Sequence, residues 1–218
     1  MAQLFRPGAD IAVRWALVAL LAFPFVLVVA LYVYAGSPYR TGQDRSVDQP
    51  VPFSHQHHVG ELGLDCRFCH ETVETSRFAG MPPTHTCMTC HSQIWTNAAM
   101  LAPVRESLVD GRPLKWNRVN NLPDYVYFDH SVHLAKGVGC ASCHGPVALM
   151  PLVRQQAPLT MGWCLSCHRN PAPNLRPPSA IFDTLWKPTG DAAARGRALM
   201  ASYHVDTRSL TDCSTCHR

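Results

Sequence analysis

Hydrophobic and polar positions divide the chain into one long apolar run and a remainder with weak periodicity. The run covers residues 15–35 and is bounded by Arg14 on one side and Gly36 on the other. As a helix, its 21 residues would span about 32 Å, which is enough to cross the hydrocarbon core of a bilayer. Pro24 lies within it, and membrane helices tolerate proline. The pattern therefore predicts one transmembrane helix within a membrane anchor at residues 1–36.

A cleaved signal peptide is the alternative explanation of this apolar run. Val33, Tyr34 and Ala35 could form a small-residue cleavage site. However, the run is longer than the apolar core of a typical signal peptide, and Tyr32 and Tyr34 suit an aromatic belt at the membrane interface. We therefore expect a retained anchor.

The rest of the chain predicts short helices connected by irregular segments. One helix is expected over residues 101–111, ended by Gly111. Another is expected over residues 192–202, with Asp191 as its N-cap. The proline-rich stretch 171–178 predicts a polyproline-like surface loop. Strand patterns are scarce throughout, so a coil-rich domain with mainly short helices is expected.

Composition narrows the possible function classes. The 218 residues carry a formal net charge of +4, and charged residues make up 16% of the chain. No Lys/Arg run is dense enough to indicate nucleic-acid binding. All ten cysteines stand in Cys-x-x-Cys pairs, which leaves none for a structural disulfide. The residue that follows each pair therefore decides between a disulfide framework, zinc and haem.

Every Cys-x-x-Cys pair is followed directly by histidine. Histidine accounts for only 12 of the 218 residues, so five such coincidences are improbable. The pattern is that of c-type haem attachment, in which two thiols bond to the haem vinyl groups and the histidine binds the iron. Zinc would require two Cys-x-x-Cys knuckles per ion, and five knuckles do not pair evenly. The motifs contain the pairs Cys66 and Cys69, Cys87 and Cys90, Cys140 and Cys143, Cys164 and Cys167, and Cys213 and Cys216, followed by His70, His91, His144, His168 and His217.

Five covalently bound haem c groups change the expected fold. So few residues per cofactor cannot surround each haem with an aliphatic core, so the porphyrins must supply much of the buried apolar surface. The chain without haem is expected to be largely unfolded, and neighbouring haems should lie close enough for electron hopping. The expected fold class is a multihaem cytochrome c, with one N-terminal transmembrane helix and a coil-rich, short-helix domain packed around five haems.

A repeated frame indicates internal duplication. Segments 53–58 and 128–133 both read Phe-x-His-x-x-His, at an offset of 75, and the attachment motifs that follow match at an offset of 74. This repeat predicts two related two-haem modules with a fifth haem appended. The expected organisation is an anchor at 1–36, a linker at 37–52, modules at 53–122 and 123–186, and a C-terminal helix with the fifth-haem segment at 187–218.

The frame resembles that of small multihaem cytochromes of the c3 and c7 types. In those proteins, the first histidine caps the haem attached just downstream, and the second caps another haem. The resemblance implies that His55 and His130 each serve the haem attached next along the chain. His58 and His133 would serve the second haems or cross between modules, and the sequence leaves that choice open.

The remaining histidines and methionines offer further candidates for the sixth iron ligand. His204 stands nine residues before the last motif, a spacing close to that of the frames, and is the candidate cap of the last haem. His57 has no counterpart in the second frame, so we expect it to be exposed or to support a ligand. His85 lies only two residues before its motif, which is too close for a cap. Methionine at one haem is the alternative, since it would raise the potential, and Met161 and Met200 are the candidates.

Longer stretches resemble the pentahaem cytochrome c subunit of alternative complex III, a bacterial quinol-oxidising complex. The matching stretches are Phe-Ser-His-Gln-His-His-Val-Gly-Glu-Leu-Gly-Leu-Asp-Cys at 53–66, Pro-Pro-Thr-His-Thr-Cys-Met-Thr-Cys-His at 82–91, Leu-Ala-Pro-Val-Arg-Glu-Ser at 101–107 and Met-Gly-Trp-Cys-Leu-Ser-Cys-His-Arg-Asn-Pro at 161–171. The single anchor and the terminal Cys-Ser-Thr-Cys-His-Arg also agree. The resemblance covers most of the chain and weakens after about residue 176.

The resemblance implies an electron relay. In that family, quinol is oxidised at a polytopic membrane subunit, and electrons pass through an iron–sulphur protein and the pentahaem subunit. They then reach a monohaem cytochrome c, a soluble carrier or a terminal oxidase. The implied partners are the iron–sulphur subunit, the polytopic quinol-binding subunits, the monohaem cytochrome c and membrane lipid, with no nucleic acid.

The expected location is the bacterial cytoplasmic (inner) membrane, with a single pass. Bacteria attach c-type haem outside the cytoplasmic membrane, so the haem domain is expected in the periplasm and Met1 in the cytoplasm.

Two other function classes stay open at the level of sequence. A multihaem enzyme would need an iron with an open sixth position for substrate. Five candidate caps for five haems argue against this, so no substrate-transforming site of the chain's own is expected. A free-standing multihaem quinol dehydrogenase, or a donor to a periplasmic reductase, is the alternative to the subunit role.

Overall fold

The computed structural model describes residues 6 and 8–217, which fall into two compact units. The first unit ends at Gly42, and the second begins at Gln43. Residues 1–5, 7 and 218 lie outside the described residues, and so does the expected cytoplasmic position of Met1.

The first unit is dominated by one long apolar helix, α1 (Ala9–Gly36). Its 28 residues would extend about 42 Å. The mean hydropathy reaches 2.8 over its most apolar window, and none of that window is buried inside the protein. Pro24 lies inside the helix, and a short helix α2 (Pro38–Thr41) follows after Ser37. By length and composition, α1 can cross a membrane, which agrees with the predicted anchor.

The second unit consists of short helices, single helical turns and irregular segments. Between residues 43 and 217 the structure has no named β-strand, and the isolated bridges Ser46–Arg154 and Val138–Leu175 are its strand-like pairings. This agrees with the coil-rich, short-helix domain that the sequence predicts. The helices are α3 (Cys66–Cys69), α4 (Thr84–His91), α5 (Ala102–Asp110), α6 (His130–Ala135), α7 (Ala141–His144), α8 (Met161–Arg169), α9 (Ala192–Ser202) and α10 (Cys213–Cys216). A π-helical turn lies at Gln56–Glu61, and 3-10 turns lie at Ala99–Leu101, Val147–Leu149, Ala172–Asn174 and Pro178–Ala180.

Both helices predicted outside the haem motifs are confirmed. Helix α5 ends at Gly111, whose φ of 62° lies in the left-handed region that glycine adopts without steric cost. At the start of α9, the Asp191 carboxylate accepts hydrogen bonds from the backbone N–H groups of Ala193 and Ala194 at 2.9 and 3.0 Å. These bonds satisfy donors that the first turn of a helix otherwise leaves unpaired.

The proline-rich stretch 171–178 is not the surface loop that its composition predicts. Leu175 and Arg176 are buried, directly after the 3-10 turn Ala172–Asn174. The Arg176 guanidinium donates to the carbonyl oxygens of Ala180 and Asp183. The stretch is therefore held inward by a buried arginine that supplies donors to the following turn.

Aliphatic packing in the second unit is sparse. One small cluster joins Val51, Leu101 and Val104. Large aromatic side chains stay open to solvent in the bare chain, since Phe78 is 63% and Trp95 is 60% exposed. The expectation that bound porphyrins supply much of the buried apolar surface stays a prediction.

Candidate haem sites

Each Cys-x-x-Cys-His motif lies on a helical turn. A separation of three residues places the two thiols of a pair on the same side of that turn. The histidine donates its backbone N–H to the carbonyl of the first cysteine, at 2.9 Å for His70 and His217 and 3.0 Å for His144. All ten cysteines are free thiols. The motifs therefore present paired thiols with a histidine directly beside them.

The predicted haem-binding thiols differ in their exposure. Cys90 and Cys213 are exposed, whereas the other motif cysteines are partly buried. Cys90 lies in helix α4 with its Sγ 3.8 Å from the hydroxyl of Thr89, and its partner Cys87 is partly buried in the same helix. The bare chain therefore does not enclose Cys90 as it encloses Cys87. A thioether at Cys90 would lie at the surface of the domain, and its role in haem attachment stays a prediction.

Backbone carbonyls engage one ring nitrogen in four of the motif histidines. In His70, Nδ1 lies 2.8 Å from the carbonyl oxygen of Gly80, and in His168 it lies 2.8 Å from that of Leu210. A carbonyl can only accept, so Nδ1 carries the proton, and Nε2 keeps the lone pair that a metal needs. The same contact joins His217 to Tyr125 at 3.1 Å and His91 to Ile94 at 3.3 Å.

The fifth motif histidine, His144, faces a side-chain amide instead. Its Nδ1 lies 3.1 Å from the amide nitrogen of Asn120, whose amide oxygen is buried without a partner. The amide oxygen and nitrogen of asparagine are assigned from their hydrogen bonds, and turning the amide over gives the Nδ1–H of His144 an oxygen acceptor. Burial, followed by the neighbouring His130 and His70, lowers the pKa of His144 to about 4. The ring is therefore neutral, as a metal ligand must be.

The two Phe-x-His-x-x-His frames have nearly the same geometry. The Phe53 ring meets His55 edge-on, with ring centres 4.9 Å apart, and stacks on His58 at 4.3 Å. In the second frame, the Phe128 ring meets the corresponding histidines in the same two orientations, at 4.7 and 4.4 Å. The later histidine of each frame also bonds from Nδ1 to the carbonyl four residues earlier, at 2.8 and 2.6 Å. One phenylalanine thus orients both candidate ligands of its frame.

The segment between the frame and its attachment motif is one residue longer in the first module than in the second, and the backbone shows where that residue is accommodated. The second frame continues as helix α6, whereas the first continues as the π-helical turn Gln56–Glu61. A π-helical turn closes its hydrogen bond over one more residue than an α-helical turn does. The π-helical turn therefore accommodates the extra residue that changes the offset from 75 at the frames to 74 at the attachment motifs. The histidines of the two frames keep equivalent positions.

Three frame histidines face motif histidines across a gap of nearly constant width. An imidazole nitrogen binds a metal at about 2 Å, so two imidazoles on opposite sides of one metal have ring centres roughly 6 Å apart. The observed distances between ring centres are 6.2 Å for His58 and His91, 6.3 Å for His130 and His144, and 6.1 Å for His133 and His168. These three pairs fit a bis-histidine haem iron. His58 and His133 thus face the second motif of their own modules.

His55 lies near His70 but differs from its counterpart in the second frame. Burial, followed by the proximity of His70, lowers the pKa of His55 to about 4. Its Nδ1 is buried without a hydrogen-bond partner, whereas the Nδ1 of His130 lies 2.8 Å from the carbonyl oxygen of Arg77. An unsatisfied buried polar atom is costly, and an iron bound at this Nδ1 would satisfy it.

The last motif has different surroundings. The His217 ring packs against the Tyr125 ring, with centres 5.8 Å apart. His204 is exposed, has a left-handed φ of 49° and takes part in none of the ring contacts of the described residues. The structure therefore does not bring His204 beside His217 as it brings the three pairs together. Met161, an alternative sixth ligand, is 68% exposed at the start of α8.

The two histidines that the sequence sets aside both lie at the surface. His57 is exposed, with Nδ1 2.8 Å from a carboxylate oxygen of Glu61 and its ring stacked on Trp95. His85 is exposed on helix α4. Their positions match the expectation of residues outside the iron-binding set.

Thiols of different motifs lie close together. A hydrogen bond shared between the thiols of Cys66 and Cys140 lowers the pKa of Cys66 to about 7 and raises that of Cys140. Burial, followed by the nearby Cys87 thiol, raises the pKa of Cys69. Burial and then neighbouring thiols likewise raise the pKa of Cys143, near Cys167 and Cys164, and the pKa of Cys164, near Cys216.

Sequence reasoning missed the groups that support the histidines. The phenylalanine that leads each frame is visible in the repeat and could have indicated the ring stacking. Asn120 and the Arg77 carbonyl have no such signal, because they act across 24 and 53 residues of chain.

Comparison with known proteins supports the haem interpretation. Residues 126–218 match the family of cytochrome c7 and related cytochrome c. The chain is also similar to the multiheme cytochrome c subunit of menaquinone reductase from Nitratidesulfovibrio vulgaris, with 38% identity over 98 residues. That match covers 44% of this chain and 46% of the relative, so the similarity spans less than half of each protein.

The matched C-terminal region is therefore similar to multihaem cytochromes c, a class of protein that binds haem c covalently. It contains the motifs beginning at Cys140, Cys164 and Cys213. By its name, the relative is a subunit of menaquinone reductase.

Proposed function

We propose that this chain is a membrane-anchored pentahaem c-type cytochrome that relays electrons within a quinol-oxidising respiratory complex. Electrons would leave towards a periplasmic cytochrome or a terminal oxidase. The observation that carries the proposal is the repeated pairing of two imidazoles at three attachment motifs, with ring centres 6.1–6.3 Å apart, which is the spacing of two imidazoles on opposite sides of one metal.

The chain's own residues would hold five haem c groups. The ten cysteines form the thioether bonds, and His70, His91, His144, His168 and His217 bind the iron beside each motif. His58, His130 and His133 supply opposite ligands by their ring pairing, and His55 supplies that of the Cys66 haem. Bound haem c supplies reversible one-electron chemistry at iron. His204 remains the proposed opposite ligand of the last haem, with Met200 or Met161 as the alternatives.

A relay fits this arrangement better than a substrate-transforming enzyme. An enzyme needs an iron with an open position, and at three motifs the paired imidazoles would supply two protein ligands to the iron and leave no such position. The carbonyls on Nδ1 fix each ring and strengthen it as a ligand. The chain thus orients pairs of candidate ligands at these three motifs.

The anchor and the relative support a quinone-linked membrane complex. Helix α1 is apolar enough to cross a bilayer once, and haem attachment in bacteria places the second unit in the periplasm. A single span encloses little space for a quinol site. The relative's name refers to menaquinone, so partner membrane subunits would bind the quinol.

The specific complex we propose is alternative complex III. This rests on the four sequence stretches given above and on the single anchor. The proposed partners are an iron–sulphur subunit, polytopic quinol-binding subunits and a monohaem cytochrome c. A free-standing multihaem quinol dehydrogenase, or a donor to a periplasmic reductase, is the alternative.

Affinity purification of the tagged full chain from native membranes in mild detergent tests the complex. Recovery of iron–sulphur and polytopic membrane subunits is expected, with the untagged chain as the control for nonspecific capture. Recovery of the chain alone, or with one soluble reductase, would favour the free-standing alternative.

Mass spectrometry of the same preparation tests the cofactor count. The intact chain should carry five haem additions, and the C213A/C216A variant should carry four. Fewer than five on the unaltered chain would refute the pentahaem assignment.

A further inference from the structure

The order of the attachment motifs along the chain differs from their order in space. The contacts between motifs form a series of links, and each link joins one motif to the next. The inference drawn from them rests on the proposed haem attachment and adds the arrangement of the sites.

The first link joins the Cys87 motif to the Cys66 motif. The Phe53 ring contacts both His55 and His58, so it lies between the candidate ligands of the two sites. His58 faces His91, the histidine of the Cys87 motif. The thiols of Cys69 and Cys87 also lie near each other.

The second link joins the Cys66 motif to the Cys140 motif, across the module boundary. The Cys66 thiol lies 3.7 Å from the Phe182 carbonyl oxygen, and the Cys140 backbone N–H donates to the adjacent Ile181 carbonyl at 3.1 Å. His130 donates to Arg77, in the loop after the first motif, from both its backbone N–H and its Nδ1. The first motif therefore has neighbours on both sides.

The remaining links extend the series through the second module. Phe128 contacts His130 and His133, as Phe53 does in the first frame. His133 faces His168 of the Cys164 motif. The Nδ1 of His168 in turn lies 2.8 Å from the Leu210 carbonyl, three residues before Cys213.

From these contacts we propose that the five haem sites form a line in the order Cys87, Cys66, Cys140, Cys164 and Cys213. The second motif of the sequence is one end of the line, and the first motif is an interior site that joins the two modules. This order results if the two modules meet through their first motifs, those of Cys66 and Cys140, and if the Cys213 site follows the Cys164 site. A line in chain order would instead place the Cys66 site at the end.

Removal of single haems distinguishes the two orders. In the oxidised holo-protein of the full chain, we would compare C66A/C69A with C87A/C90A by electron paramagnetic resonance, after confirming four remaining haems by mass. The proposed order predicts that C66A/C69A leaves one magnetically isolated low-spin haem, while C87A/C90A leaves all four coupled. The reverse result overturns the proposal and supports chain order.

A second measurement applies even if a variant fails to retain its haems. Iron positions located by anomalous scattering in crystals of the unaltered holo-protein should give the Cys66 iron two near neighbours, the Cys87 and Cys140 irons. Nearest contact between the Cys87 and Cys140 irons would overturn the proposal. Both measurements use the isolated chain. The order of the haem sites can therefore be confirmed or refuted whether or not the proposed membrane partners and quinol role are correct.

Discussion

At the scale of single residues, the sites depend on what each imidazole meets at its two nitrogens. His130 offers the clearest case, since Arg77 holds its Nδ1 and its ring lies 6.3 Å from that of His144 with the planes 5° apart. Replacing His130 with alanine should convert one haem from low spin to high spin, because one axial ligand is lost. Electronic spectra and paramagnetic resonance of the purified holo-protein would record the change.

The H57A variant is the matched control for H130A. His57 is exposed and pairs with Glu61, so its removal should leave every haem low spin. Low-spin haem throughout in H130A would refute its assignment as a ligand.

Asn120 gives a second prediction at this scale. An acceptor on Nδ1 makes the His144 imidazole a stronger donor to iron and favours the oxidised state. The N120L variant removes a hydrogen bond of about 1 kcal/mol, so the potential of the Cys140 haem should rise by at most roughly 40 mV, the value if the bond stabilises only the oxidised state. N120D, with a stronger acceptor, should lower that potential.

Spectroelectrochemical titration would resolve this shift, and N121L is its control. Asn121 is exposed and accepts a hydrogen bond from Arg118, so its replacement should leave all potentials unchanged. Equal potentials in N120L and the unaltered chain would contradict the turned amide.

At the scale of elements, each frame is followed by a glycine, Gly63 or Gly137. The two glycines have similar backbone conformations but different surroundings. Gly63 has a φ of 69°, and a Cβ added there would meet open space. Gly137 has a φ of 79°, and a Cβ added there would lie 2.2 Å from the Tyr203 ring. The Tyr203 hydroxyl is held by the Arg176 carbonyl at 2.8 Å. Replacing Gly63 with alanine should destabilise the domain by about 1 kcal/mol because of the left-handed conformation.

Replacing Gly137 with alanine should cost about 1–3 kcal/mol more than the Gly63 change, because the Tyr203 ring must move. Urea unfolding of the holo-protein followed by circular dichroism measures both. In the Y203A variant the ring is absent. Replacing Gly137 with alanine should then lower the free energy of unfolding only as much as replacing Gly63 does. Equal costs in the unaltered background would argue against the packed ring.

The sequence predicted those elements whose ends are determined by residues within the same segment. The N-cap Asp191 and the stop at Gly111 set the ends of α9 and α5, and both lie within the segment they control. The burial of stretch 171–178 escaped prediction, because Arg176 is stabilised by carbonyls of the next turn. The cation therefore stays inside the fold although it lies in a proline-rich stretch.

The candidate ligands could be predicted from the frame, whereas their pairing could not. The position of His58 follows from the repeat with the second frame. That it faces His91 depends on the 32 residues between them folding back, and nothing in either segment encodes this. The same reason hides the contact of Cys66 with Cys140.

At the scale of the whole molecule, the second unit lacks an aliphatic core proportionate to its size. The Val51 cluster involves few side chains, and aromatic groups such as Trp95 stay exposed in the bare chain. Each ordered residue costs about 1–2 kcal/mol of backbone entropy, which so little burial cannot offset. We therefore expect bound haem to provide the apolar surface that makes the folded state stable.

Haem-free protein, produced in cells without the attachment machinery, tests this dependence. Residues 43–217 should then lose their helical circular-dichroism signal and unfold without a cooperative transition, since porphyrin faces no longer replace the missing core. Helix α1 should persist in detergent, because its hydrogen bonds are internal and its apolar surface contacts the micelle. A chain without residues 1–36 is the matched control, and it should show almost no helix when haem is absent. A cooperative transition in that truncated, haem-free chain would mean that the polypeptide forms its own core and that the haems bind to a fold already made.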